Sequence, residues 1–266
     1  MCNHHDFFII LTYLLICEVS CDFANNQRLL EEYEKLQQVP PARVSSNKFQ
    51  KHFTSTSDSS RLKRELEGDY DVIYIIDSSS SITRAEFRKG IEAIQMLIDR
   101  EVPETKHAAM TVASEAKLIF SFTSAENAAQ ELIKLQKTGG KTNMQEALER
   151  SLNVFRNPWF GSRVGSFKRV LVVTDGQSNI KRNQTLRNAM ELKLYGAEIF
   201  VVGVGDYLDG IDELAHMASS LDAHLYRAGD MQGFIEIVKL ITPVSYRRDW
   251  AAEMRRLRKA FIVGRQ

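Results

Sequence analysis

The chain has 266 residues, 44% hydrophobic and 26% charged, enough to bury a full core in one domain with flanking segments, which excludes a disordered polymer. Thirty-five Lys and Arg nearly balance 34 Asp and Glu, and a formal net charge of +1 excludes a global field that would draw the chain to nucleic acid or membrane. Any charge-driven partner must be recognised locally.

The first element is an apolar run, "FFIILTYLLIC" over 7–17, of signal-peptide length and too short to span a bilayer. With the small residues of "EVSC" after it, residues 1–21 read as a secretory signal peptide cleaved after Cys21, although "MCNHHD" lacks the usual basic residues. Val19-Ser20-Cys21 faintly resembles a lipobox, but Glu18 stands where a leucine is expected, and a buried apolar helix is the plain alternative. Cys2, Cys17 and Cys21 all fall in this segment, so a processed chain would fold by its core rather than by disulfides. Residues 22–66 have the Pro, Ser and charge content of a propeptide or flexible linker, after a short charged helix in "RLLEEYEKLQQ". Within it Arg61, Lys63 and Arg64 form an Arg-x-Lys-Arg sequence that resembles a furin-type convertase site; a solvated basic turn is the other reading.

From residue 67 to 245 the pattern alternates. "DVIYII" (71–76) predicts a buried strand, and Phe87, Ile91, Ile94 and Ile98 line one face of a helix that Thr83 and Glu86 could open as a capping box. "AAMTVAS" and "AKLIFSF" predict two short strands joined by a turn around Glu115, "SAENAAQELIKLQ" a helix, and Met144, Leu148, Leu152 and Phe155 another. "RVLVVTD" (169–175) and "EIFVVGVG" (198–205) predict buried strands around the helix "QTLRNAMELKLYG", closed by Gly196. "IDELAHMAS", "AHLYRAG" and "FIEIVKLI" supply helix, strand and helix. Strands without polar alternation, separated by amphipathic helices, predict an α/β fold: a three-layer, doubly wound, mostly parallel six-stranded sheet with one antiparallel edge strand.

In such a sheet, ligands bind beyond the carboxyl ends of the strands. "DSSSS" and "TDGQSN" both lie at such ends, so Asp77 and Asp175 would meet if their strands are central neighbours. Two carboxylates about 4 Å apart repel by roughly 4 kcal/mol at an effective dielectric of about 20. Neither motif carries Lys or Arg, so a bound cation is the simpler remedy. Alternate residues Ser79 and Ser81 can turn toward one point while Ser78 and Ser80 face elsewhere, and "TGGKTNMQEAL" (138–148) offers Thr142. Carboxylates with hydroxyls suit a hard divalent ion such as Mg²⁺. Each residue has a plainer role: Ser81 or Thr83 could cap the next helix, Thr142 with Gln145 could form a capping box, and Asp77 could be a turn former.

Asp77, Ser79, Ser81, Thr142 and Asp175, with "GAEIFVVGVG" and "IDELAHMAS", resemble the von Willebrand factor A domain over about residues 70–242. That fold is shared by integrin inserted domains, matrilins and complement factor B. The resemblance implies a metal-ion-dependent adhesion site in which Asp77, Ser79 and Ser81 hold Mg²⁺ or Mn²⁺, and Thr142 and Asp175 exchange direct and water-mediated contact. It leaves the last coordination position to an Asp or Glu carboxylate of an extracellular protein partner. It also implies that movement of the final helix accompanies tighter binding.

No Gly-x-Ser-x-Gly elbow is present, Ser79 stands where an aspartyl phosphatase needs its second acid, and Leu208 replaces the third glycine of a dinucleotide loop. His52, His107, His216 and His224 lack metal spacing. The expectation is therefore a secreted, non-catalytic binding module; the alternative is a structural matrix or complex-forming module that binds without metal. Asn183 begins a glycosylation sequon on the loop after "TDGQSN". The basic amphipathic helix over 246–266 could pack on the domain, form a homo-oligomer or grip acidic polysaccharide.

Overall fold

All eight residues of β1 (Tyr70–Asp77) are buried, as expected of a strand covered on both faces. The computed structural model describes residues 28–54, 69–102 and 104–243. The expected signal peptide with its cysteines, the basic site at Arg61, Lys63 and Arg64, and the helix over 246–266 lie outside the described residues. Residues 28–37 form the charged helix expected there, with Arg28 paired to Glu32 at 3.4 Å, in a unit separate from residue 39 onward.

The second unit is built on six strands: β1, β2 (Lys106–Val112), β3 (Ala116–Thr123), β4 (Phe167–Thr174), β5 (Ala197–Val204) and β6 (Leu225–Ala228). Their order is β3-β2-β1-β4-β5-β6, with every pair parallel except β2 and β3. This is the doubly wound α/β sheet with one antiparallel edge. The chain moves outward from β1 in one direction and from β4 in the other, so a crevice opens between their carboxyl ends.

Among the described residues, eight α-helices accompany the sheet: α1 (Ala42–His52), α2 (Arg84–Ile98), α3 (Ala125–Ile133), α4 (Met144–Arg156), α5 (Arg182–Leu194), α6 (Ile211–Met217), α7 (Leu221–His224) and α8 (Met231–Lys239). Val72, Tyr74 and Ile76 of β1 share one core with Phe87 and Ile94 of α2, Leu132 of α3 and Phe234 and Val238 of α8. The alternate residues Ile73 and Ile75, with Val170, Val172, Ile199 and Val201, are equally buried on the opposite face, which α4, α5 and α6 cover.

Helix α1 corrects the linker reading for residues 42–54. Phe49 and Phe53, four residues apart, are 0% and 1% exposed, and the small buried Ser45 and Ser46 allow close approach to the domain. Phe49 stacks on Tyr226 at 3.8 Å between centroids, and Phe53 meets Phe200 edge-on at 4.9 Å. Lys48 donates to the carbonyls of Leu221 and Leu225, and Arg169, bonded to the carbonyl of Phe53, lies 4.1 Å from the Tyr70 ring. The sparse apolar content of "ARVSSNKFQKH" hid a helix whose stability comes from two rings rather than a full stripe. Phe49→Ala should cost about 3–5 kcal/mol in urea unfolding, and an unchanged midpoint would return this segment to the linker.

Two polar groups are buried near the amino ends of the strands. Asp71 is fully buried and accepts from Lys168 Nζ at 2.8 Å and from Arg163 N and Nε at 2.7 and 2.9 Å. Burial alone would raise its carboxyl, but these hydrogen bonds hold it below the usual range. Tyr74 Oη donates to Glu101 at 2.5 Å and lies 3.1 Å from His107 Nδ1. Burial pushes Glu101 up to about 8 and His107 down to about 3, so this cluster is uncharged across the neutral range. The two groups act on stability with opposite signs. The His107 contribution is lost as pH falls from 6.5 toward 3, and the Glu101 contribution is lost as pH rises from 4.5 toward 8. Unfolding free energy should therefore decline between pH 6.5 and 8, and Glu101→Gln should flatten that decline; an equal decline in the variant would assign it elsewhere.

Candidate metal centre

Three loops converge at the crevice between β1 and β4, and hydrogen bonds join each pair of them. The loop after β1 is tied to the 138–140 stretch by Ser80 N to Gly140 O at 2.9 Å, Gly139 N to Ser78 O at 2.8 Å and Thr138 N to Ser78 Oγ at 2.7 Å. The 142 position is tied to the loop after β4: Thr142 O accepts from Asn179 N at 2.9 Å and Ser178 Oγ at 3.1 Å, and Thr142 N donates to Asn179 Oδ1 at 2.5 Å. Ser81 Oγ closes the ring by donating to Asp175 Oδ1 at 3.0 Å. Gly140 lets the 138–140 stretch lie close against the turn between β2 and β3, because its φ is +107° and an added Cβ would come 2.4 Å from Ser114 Oγ.

The expected alternation along "DSSSS" holds. Ser78 and Ser80 turn to the 138–140 stretch, Ser80 Oγ accepting from Gly140 N at 2.8 Å, while the hydroxyls of Ser79 and Ser81 lie 2.9 Å apart. Four of the five predicted residues thus form one chain: Asp77 Oδ1 accepts from Ser79 N at 2.8 Å, and the Ser79 hydroxyl leads through Ser81 to Asp175. Thr142 reaches the same crevice through its backbone. Its side chain is buried, and no protein hydrogen bond among the described residues occupies its hydroxyl.

The capping alternatives separate cleanly. Thr83, not Ser81, caps α2, accepting from Glu86 N at 3.2 Å. Asn143, not Thr142, is the N-cap position of α4, so helix initiation explains neither Ser81 nor Thr142.

Asp77 is 1% exposed, and burial raises its carboxyl; hydrogen bonds from Thr174 and Ser79 oppose this, and the charge of Asp175 adds to it. Among the described residues, neither Asp77 nor Asp175 has a basic partner. No three His, Cys, Asp or Glu side chains gather as a metal cluster there, so the donors at the crevice are two carboxylates with hydroxyls. All-oxygen sets of this kind fit hard divalent ions.

Supporting residues beyond the five were missed from sequence. Thr174 Oγ1 donates to Asp77 Oδ2 at 2.6 Å, and the strand register, which sets Ile76 opposite Val173, could have identified it. Glu213 of α6 holds the loop after β4, accepting from Ser178 N at 2.9 Å and Arg182 Nε at 2.7 Å. That long-range contact has no local signal. Asn183 is exposed but lies in the first turn of α5 rather than on a loop, and Thr185 of its sequon is fully buried.

The family model of the von Willebrand factor type A domain matches residues 71–240. The mouse sushi, von Willebrand factor type A, EGF and pentraxin domain-containing protein 1 is 26% identical over 215 residues, covering 74% of this chain and 6% of that protein. Chicken matrilin-3 is 30% identical over 166 residues, covering 59% of this chain and 36% of its own. Among solved structures, proximal thread matrix protein 1 from the mussel byssus superposes with a TM-score of 0.60 at 20% identity, covering 65% of this chain and 47% of that one. A second structure of it, described as having a zinc-occupied MIDAS motif, gives a TM-score of 0.54 at 23% identity, covering 66% and 46%. The chain thus spans less than half the length of each of these relatives.

Thr174→Val would strip one donor from a buried carboxylate. It should lower stability by about 1–3 kcal/mol near neutral pH in urea unfolding, with the loss shrinking as acid protonates Asp77. A loss equal at acid and neutral pH would show that Thr174 acts by packing alone.

Proposed function

Since the chain belongs to the von Willebrand factor type A domain family, we propose that it is a secreted, extracellular binding module in which Asp77, Ser79, Ser81, Thr142 and Asp175 hold one divalent cation. The observation that carries this is the pair of carboxylates, Asp77 and Asp175, joined through the hydroxyls of Ser79 and Ser81 with no basic side chain among the described residues to neutralise them. The hydroxyl of Thr142, a largely buried residue, has no protein hydrogen bond among the described residues and is a further donor for the ion. Zinc in the byssus protein supports occupancy by a divalent ion in this fold. The all-oxygen donor set of this chain favours Mg²⁺ or Mn²⁺, because zinc sites are richer in nitrogen and sulfur ligands.

When bound, the ion supplies a positive charge open to a carboxylate oxygen of the partner, an Asp or Glu on an extracellular protein. The chain's own residues prepare that charge. Ser79 N and Thr174 Oγ1 fix the two Asp77 oxygens. Ser81 holds Asp175 in line with Ser79, and Asn179 fixes the backbone beneath Thr142. With only two protein carboxylates, intrinsic affinity should be modest, and partner and metal should strengthen one another's binding.

Titration calorimetry with MnCl₂ and MgCl₂ should give one site with a dissociation constant on the order of 10⁻⁴–10⁻³ M. Asp175→Ala should weaken it at least about tenfold without unfolding the domain, because Asp175 lies at the crevice rather than in the core. Heats unchanged in that variant would move the ion elsewhere. Retention of extracellular proteins on the immobilised chain should fall in EDTA, and retention indifferent to EDTA and to Asp175→Ala would favour the metal-independent matrix module.

A further inference from the structure

Two adjoining clefts of about 300 and 400 Å³ run beside α2, where it faces the stretch that follows α3. Both are lined by Arg88, Leu135 and Gln136, so they form one groove. Its walls are chiefly polar, and its apolar surface comes from the half-buried Leu135 and the exposed Ile133, since Phe87, Ile91 and Leu132 beneath them are buried in the core. Its rim is basic, with Arg84, Arg88 and Lys137 along one cleft and Lys134 along the other. Lys134 is engaged by Glu131 at 2.6 Å, whereas Arg84, Arg88 and Lys137 have no ion pair among the described residues. No carboxylate lines either cleft. In a chain whose 35 Lys and Arg are balanced by 34 Asp and Glu, this one-sided gathering is local rather than compositional.

Two residues of the groove's lining also adjoin the loops of the metal centre along the chain. Arg84 opens α2 just beyond the site loop that holds Ser81. Lys137 immediately precedes Thr138, whose N donates to Ser78 Oγ in that same loop. A chain whose carboxylate reached the crevice could therefore lay its neighbouring residues along the groove.

We propose that this groove seats an acidic peptide segment of the protein partner, its Asp or Glu residues meeting Arg84, Arg88 and Lys137 and its apolar side chains lying against Leu135 and Ile133. The proposal rests on the metal-capture reading for the direction of approach, but the groove's own affinity is electrostatic and apolar and does not require the ion. Arginine pairs strongly with carboxylates, and like-signed rims select against basic partners. A sulfated polysaccharide would satisfy the rim but has no apolar side chain to lie against Leu135 and Ile133, so the peptide is the better match.

Fluorescence anisotropy of the full chain with a labelled peptide of about ten alternating Glu and Leu residues tests this. Arg84→Glu with Arg88→Glu should weaken binding at least about tenfold, while Arg150→Glu on α4, away from the groove, should change it less than about twofold. The first pair is exposed, so an unchanged melting midpoint is expected to accompany the loss. A peptide with Ser in place of Leu should bind several-fold more weakly. The charge-reversal loss should persist in EDTA; Asp175→Ala with calorimetry reports separately on the ion, so either reading can fail alone. Equal binding by wild type and the Arg84/Arg88 variant, equal binding of the Leu and Ser peptides, no binding by wild type, or tighter binding of a heparin fragment than of the peptide would each overturn the assignment.

Discussion

Strand β1 carries a buried aspartate near each end, and the different treatment of the two explains the site. Asp71, at the amino end, is neutralised by Lys168 and Arg163 and kept ionised. Asp77, at the carboxyl end, receives only a backbone N–H and a hydroxyl, and burial raises its carboxyl while Asp175 stands nearby. A buried carboxylate normally acquires a cationic partner or surrenders its charge. The fold supplies a protein cation at one end of the strand and withholds it at the other. The carboxyl end is also the end at which doubly wound sheets open, so the missing charge is accessible to an ion from solution.

Holding that arrangement open requires the loops to be stiffer than loops usually are. Ser78, Ser80, Thr138, Gly139 and Gly140 join the first two, while Asn179, Ser178 and Glu213 fix the third. The same rigidity extends to α8. Glu86, in the first turn of α2, accepts from Met231 N at the start of α8, and Phe49 of α1 packs against Phe234 of that helix. A shift in the loop that carries Ser79 and Ser81 would therefore bear on α8 through α2, and α1 adds to what such a shift must overcome. Helix α1 lies outside residues 71–240, the part that the family model matches.

Much of the architecture was legible because its signals are local. Apolar runs without alternation identified the buried parallel strands, and the four-and-three spacing of Phe87, Ile91, Ile94 and Ile98 identified α2. The crevice followed from strand ends, and the turn of Ser79 and Ser81 toward one another followed from alternation. Thr174 was hidden because its role depends on β1 and β4 being register partners, a relation no single segment encodes. Helix α1 was hidden for a related reason. Two phenylalanines among polar residues have no amphipathic stripe, and only the groove between Tyr226, Phe200 and Arg169 makes them a helix. The surroundings of the sequon were read in the opposite direction: Asn183 stands in the first turn of a helix rather than on a loop, and Thr185 is buried inside the domain.

The charges around the crevice are arranged as well as the donors within it. On the α2 flank stand Arg84, Arg88 and Lys137, while the loop after β5 exposes Asp206 and Asp209 on the flank beyond β4. That acidic loop abuts the loop after β4, since a Cβ on Gly210 would come 2.3 Å from Gln177. A bound divalent ion would attract any carboxylate equally from every side. The two flanks would not, because one draws an acidic chain and the other repels it over distances comparable with the Debye length. Under the proposed capture, side chains outside the five-residue motif bias the direction of approach, and this is where members of one fold with the same donor set can differ in the partners they accept.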